Sequence, residues 1–261
     1  MNKTTMRRRK GFTKTVMILI GLALSACGND EAPIKATIVI PVKGASLHFR
    51  GYVTDDETEL TSNIYEFSRT FSHLDTLDEQ PVYVFYSNDE KNYFYTDDAG
   101  TVWQLNTVNL SKRLISYGIS TLKPVIMKYW QTMLKVDNGV GTEWQVLIDT
   151  TIHGRDVFGK TAQIRYFYSA KARYEGWGQA FIPETYKFES VLDVYWYEIN
   201  NYIVNQTTMD SLYIQRGTAH HYFDPELGLI KFITNYKKKE MNNSYVNLRG
   251  TWELVGRDIM K

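Results

Sequence analysis

At positions 163–175 every even residue is apolar or aromatic (Ile164, Tyr166, Tyr168, Ala170, Ala172, Tyr174), and every odd residue except Phe167 is polar. Side chains alternate between two faces only in an extended chain, so a period of two held this long predicts one β-strand of about 40 Å. Ordinary strands have about 5 to 6 residues. A strand of this length needs long partners, which predicts a large, strongly twisted antiparallel sheet with one wet face.

Much of the remaining chain reads the same way. Residues 37–42 are rich in β-branched side chains, and in 46–53 Leu47, Phe49, Gly51 and Val53 alternate with His48, Arg50 and Tyr52. Residues 82–86 and 93–96 flank Asn88, Asp89, Glu90 and Lys91, a turn composition that predicts a hairpin. Trp144, Val146 and Ile148 share a face, and Phe188, Leu192, Val194 and Trp196 continue the alternation, as do Ile230, Phe232 and Tyr236. Near the end Val246, Leu248, Trp252 and Leu254 oppose Asn247, Arg249, Thr251 and Glu253, so the last strand is expected to be integral to the sheet. Only residues 110–135 fit neither period; a short helix is compatible there, and Pro124 excludes one continuous helix. The expected fold is mainly β: a large antiparallel, curved sheet or open β-barrel, in one or two sheets, with little helix.

The N-terminus carries a different message. Six bases (Lys3, Arg7, Arg8, Arg9, Lys10, Lys14) precede an apolar run over 16–26 that ends at Cys27, the chain's single cysteine. That order is a secretory signal, and the run is shorter than the roughly 20 residues a membrane span needs. Leu24, Ser25, Ala26 and Cys27 resemble the lipobox of bacterial lipoprotein precursors. The resemblance implies that the Cys27 thiol takes a diacylglycerol, that cleavage occurs just before it, and that the new amine is acylated. Gly28 resembles the residue following the cysteine in outer-membrane-sorted lipoproteins, whereas an aspartate there favours the inner membrane. The expected organisation is a signal peptide over 1–26, a polar tether over 27–36, and a β-rich periplasmic domain over 37–261. The expected location is the periplasmic face of the outer membrane, with the inner membrane or the cell surface as alternatives.

Removing the signal changes the charge. All six of those bases leave with it, so 24 of the 30 basic residues remain against 29 acidic ones, and the net charge moves from +1 to −5. An acidic domain lacks the basic excess that nucleic acid requires, so no nucleic-acid partner is expected. With one cysteine no internal disulfide can form, and the fold rests on its core, for which 43% hydrophobic and 14% aromatic residues provide the material.

Two hairpins look alike 128 residues apart: Phe94, Tyr95, Asp98, Gly100, Thr101 and Val102 align with Tyr222, Phe223, Glu226, Gly228, Leu229 and Ile230. They are either an internal repeat or one kind of aromatic-anchored turn used twice. The second, Tyr222 to Lys231, resembles a hairpin of uncharacterised exported bacterial β proteins, preceded there as here by a Gly-x-x-Trp strand (Gly141, Trp144) and an Ile-Pro segment (Ile182, Pro183). This chain departs from that pattern in having no glycine at Thr185 or Glu226. The resemblance implies a fold akin to the open, curved β-barrels of periplasmic lipoprotein carriers and lipid binders.

Signals for catalysis are absent. No Gly-x-Ser-x-Gly elbow, His-Glu-x-x-His or phosphate-binding glycine loop occurs, and Cys27 is taken by acylation. His220 and His221 are adjacent in a strand and point apart, so they cannot hold one metal together. The acidic runs at 55–59 and 97–98 lack calcium-loop spacing and read as solvated turns. No cofactor and no enzyme activity are expected. Tyr166, Tyr168, Tyr174 and Trp196 are core candidates that would line a cleft if the sheet is open. Two functions follow: a noncatalytic module binding an apolar ligand such as an acyl chain, or a structural lipoprotein docking on an envelope protein. The first predicts a cavity; the second predicts a filled core and an exposed aromatic patch.

Overall fold

The computed structural model describes residues 44–87, 90–240 and 244–258. The signal, Cys27, the tether, the strand expected at 37–42 and the turn residues Asn88 and Asp89 lie outside the described residues. Strands make up 74% of the described residues and helix 3%, in one antiparallel sheet of 13 strands that does not close into a barrel. The sheet order is β6-β8-β9-β10-β11-β12-β13-β1-β2-β3-β4-β5-β7. In sequence these are β1 (Ser46–Asp55), β2 (Thr61–Leu77), β3 (Gln80–Ser87), β4 (Glu90–Thr96), β5 (Val102–Asn109), β6 (Ser120–Thr121) and β7 (Ile126–Leu134). Then come β8 (Glu143–Arg155), β9 (Thr161–Ile182), β10 (Lys187–Asn205), β11 (Asp210–Asp224), β12 (Gly228–Glu240) and β13 (Val246–Asp258). The last strand is indeed internal, paired on both sides with β12 and β1.

The run at 163–175 lies within β9, a strand of 22 residues, and its even positions are buried, except for the partly buried Tyr168, while Gln163 and Arg165 face out. Its first half pairs with β8 and β10 and carries Ile164 and Tyr166 into a cluster with Ile152, Ile203, Leu212 and Tyr213. The ambiguous segment resolves into one helix, α1 (Leu110–Ile115), then β6 and β7. Asn109 caps α1 by accepting a hydrogen bond from the Lys112 N–H at 2.9 Å, and Leu110 and Leu114, one turn apart, drop into the same cluster. The two sheet edges approach where Trp144 donates its Nε1–H to the Thr132 carbonyl at 3.1 Å, without forming a ladder.

Beyond Gly176 the sheet departs from the one-wet-face expectation. Val191 and Leu192 are consecutive and both are fully buried, so β10 is covered on both faces there. The reason is that the far end of the β9–β10 hairpin folds across β12 and β13: Ala180, Ile182 and Val191 pack on Ile230, Leu254, Leu47 and Phe49. Phe188, expected to continue the inward pattern, is instead exposed at the hairpin's end. A polar latch holds the crossing. Lys231 donates to the Phe181 carbonyl at 3.0 Å and to Glu253 at 3.3 Å, Arg50 donates to the other oxygen of Glu253 at 2.8 Å, and Arg257 pairs with Glu184 at 2.8 Å. Glu253 is buried, so its charge depends on both cations. Glu253→Ala leaves the largely buried Lys231 without its counter-ion and is expected to destabilise the domain by about 3 kcal/mol, read as a lower urea midpoint; an unchanged midpoint would show the latch is dispensable.

Candidate functional site

Of the four residues that would line a cleft in an open sheet, Tyr166, Tyr174 and Trp196 are buried and Tyr168 is partly buried. Tyr166 and Tyr168 belong to the α1 cluster, where burial raises both phenols and pushes Tyr168 up to about 12. Tyr174 is buried further along β9, and Trp196 is buried edge-on against Trp144 with ring centres 5.9 Å apart. They do not line the apolar slot described next.

That slot lies where the two similar hairpins meet. Phe94 and Val102 of β4 and β5 face Phe223, Leu227 and Leu229 of the β11–β12 hairpin across it, with Leu47, Leu134 and Leu192 closing the sides. Its volume is about 30 Å³, room for about two water molecules. The facing turns are built alike. Asp97 accepts hydrogen bonds from the Ala99 and Thr101 N–H groups, and Asp224 accepts from those of Glu226 and Leu227. Gly100 and Gly228 follow with φ of 82° and 78°, where a side chain would be strained. Burial pushes the Asp97 carboxyl up, yet the hydrogen bonds from Trp103 and its own turn prevail and hold it below the usual carboxylate range.

One charge enters the slot. The Arg69 guanidinium sits 5.2 Å from the ring centre of Phe49 and 5.3 Å from that of Phe94, and it has no carboxylate partner among the described residues. Burial pulls its pKa down to about 10. Aromatic faces attract a cation, but they replace only part of its lost hydration. The β2 strand that carries it was not foreseen in the sequence, although a signal existed. Tyr65, Phe67, Arg69 and Phe71 occupy alternate positions, so an arginine stands in an aromatic row.

The adjacent histidines separate as strand geometry requires. His220 Nδ1 lies 3.0 Å from Asp193, whose hydrogen bond raises the His220 pKa. His221 turns inward, with ring centres 5.5 Å from both Trp196 and Phe232, and burial, aided by the neighbouring His220 charge, lowers its pKa to about 3. His221 Nδ1 and Trp196 Nε1 are buried without hydrogen-bond partners among the described residues. No group of three or more His, Cys, Asp or Glu among the described residues is placed to hold a metal ion.

No family model matches the chain, and no curated protein matches it. Two solved structures are similar in part. One is a candidate lipoprotein from Parabacteroides distasonis, 12% identical with a TM-score of 0.37, the match covering 85% of this chain and 98% of that one. The other is a candidate exported protein with a YmcC-like fold from Bacteroides fragilis, 10% identical with a TM-score of 0.33 and the same coverage. Likeness at this level carries no functional information.

Two outcomes are expected from these environments. Arg69→Met keeps the side-chain bulk and removes a desolvated cation, so it should leave the urea midpoint equal or higher, whereas Arg69→Ala, which empties the space, should lower it. A lower midpoint for Arg69→Met would mean the cation is a structural asset. For His221 the folded pKa lies below the unfolded value of about 6.5, so between pH 6.5 and about 3 the unfolded chain takes up the proton first and stability falls as pH falls. His220, with a raised folded pKa, has the opposite sign: its contribution is complete below about 6.5 and is lost as pH rises through the folded value. His221→Phe should therefore flatten the acid side of a stability-versus-pH curve, and Asp193→Asn should remove the loss on the neutral side.

Proposed function

We propose that this chain is a noncatalytic envelope lipoprotein, anchored to the periplasmic face of the outer membrane through Cys27, whose β domain docks on an envelope protein. The anchor rests on the lipobox-like Leu24-Ser25-Ala26-Cys27 and on Gly28. The observation that carries the docking reading is the contrast at the β9–β10 hairpin. The apolar slot between the two hairpins holds about 30 Å³, too small for an acyl chain, while aromatic surface is left outside. Phe181 gathers Tyr186 and Phe188 at ring-centre distances of 5.5 and 5.6 Å, and those two rings are 83% and 71% exposed. Tyr186 is also held at φ of 56°, an unfavourable conformation for a bulky residue. Rigid, exposed aromatic clusters are the usual anchors of protein interfaces.

Arg69 favours a second reading, an apolar ligand with an acidic group, because an unpaired cation in an apolar slot is a place for an anion. One experiment separates the two. A photoreactive phenylalanine at Phe188 in whole cells should give a discrete protein adduct that the same group at the remote, exposed Lys160 does not. In parallel, organic extracts of the detergent-free Cys27→Ser form are weighed by mass spectrometry. An adduct with a clean extract supports docking; no adduct, with a stoichiometric acidic lipid in the extract, moves the assignment to the slot.

A further inference from the structure

At the opposite end of β9 a second exposed patch differs in chemistry from the aromatic hairpin. The β8–β9 turn lifts Val157 and Phe158 into solvent, 73% and 81% exposed. Asp156 makes that tip rigid: its carboxylate accepts hydrogen bonds from the Phe158 and Lys160 N–H groups, both at 2.9 Å. The tip leans on the segment after α1, where a Cβ built on Gly118 would meet Val157 at 3.1 Å. The Gly118 N–H in turn bonds the carbonyl of Ile115, which is 66% exposed. On the other side β6 pairs Ser120 with Arg155, and Leu122 follows it at 77% exposed.

Basic residues frame these apolar ones. Lys112 lies one helical turn before Ile115, Lys123 follows Leu122, and Arg155 and Lys160 bracket the tip. None of the four has an ion-pair partner among the described residues. With Asp156 turned into its own loop and Asp210 on the neighbouring hairpin, the bases outnumber the acids two to one, on a mature chain whose net charge is −5.

We propose that this rim, formed by α1, β6 and the β8–β9 tip, seats on an anionic lipid surface, with Val157 and Phe158 entering the headgroup layer and the four bases paired to lipid phosphates. Charge complementarity and shape both select this occupant. The apolar tip that would enter the partner is two side chains wide, Val157 and Phe158. It suits a fluid headgroup layer, where apolar insertion and about 1 kcal/mol per nearby base add together. The proposal does not depend on the docking reading, because it uses the other end of the sheet and no acyl chain.

The test exploits the single cysteine. In the full chain carrying Cys27→Ser, exported behind an ordinary signal, Phe158→Cys gives one site for a polarity-sensitive fluorophore, and Tyr186→Cys gives a control at the far end. With vesicles of equal phosphatidylglycerol and phosphatidylcholine, the label at 158 should shift to the blue, while the label at 186 stays unchanged. Phosphatidylcholine vesicles alone should give no shift. Combining Lys112→Glu, Lys123→Glu and Lys160→Glu, all on exposed positions, should weaken vesicle binding at least about tenfold, with the far-ultraviolet circular dichroism unchanged. A silent label at 158 with anionic vesicles, an equal response at 186, or binding indifferent to the charge reversals would each overturn the proposal.

Discussion

Glu253 has almost no contact with water, and its two oxygens are held by Arg50 from one neighbouring strand and Lys231 from the other. Lys231 in turn grips the Phe181 carbonyl, which belongs to neither strand but to the hairpin crossing above them. A buried carboxylate of this kind is stable only while both cations remain. The arrangement therefore works as a lock: it lets the long β9–β10 hairpin lie across β12 and β13 instead of trailing into solvent. Burial of Val191 on one face and Leu192 on the other follows from that crossing.

The crossing also shapes what is left open. The slot occupies the place where Leu192 and Phe223 meet the β4–β5 hairpin, so the two look-alike turns end up facing each other. Their matching Asp carboxylates and positive-φ glycines serve the turns themselves. Arg69 is different. A cation among aromatic rings with no carboxylate partner among the described residues, like the Trp196 and His221 nitrogens that find no partner there, breaks the rule that buried polar groups are paired. Such violations concentrate where a protein keeps a function at the expense of stability.

Exposed apolar residues at the two ends of β9 carry opposite settings. At one end Tyr186 and Phe188 stand near the paired Glu184 and Arg257, and the described chain enters close by, where Ser46 pairs with Asp258. At the other end Val157 and Phe158 stand among bases that have no ion-pair partner among the described residues. A sheet built mostly of consecutive antiparallel hairpins puts alternate turns at opposite ends, so one long strand can present two surfaces of different chemistry.

The sequence by itself determined the material of the fold. Alternation at 163–175, 46–53 and 246–254 is enough to specify strands, because a period of two has no other backbone solution. The pairing of 82–86 with 93–96 and the internal last strand were legible for the same local reasons, whereas 110–135 fits neither period and only allowed a short helix. Phe188 and Arg69 were not. Periodicity assigns a side chain to a face but does not say what covers that face. Only tertiary packing decided that Phe188 stays outside and β10 is buried on both faces, through the β9–β10 crossing, and that Tyr166, Tyr174 and Trp196 are packed instead of lining an open cleft. The candidate sites arise from residues far apart in sequence, Arg69 with Phe223 and Gly118 with Val157, and their proximity is set by long-range pairing that no local pattern encodes.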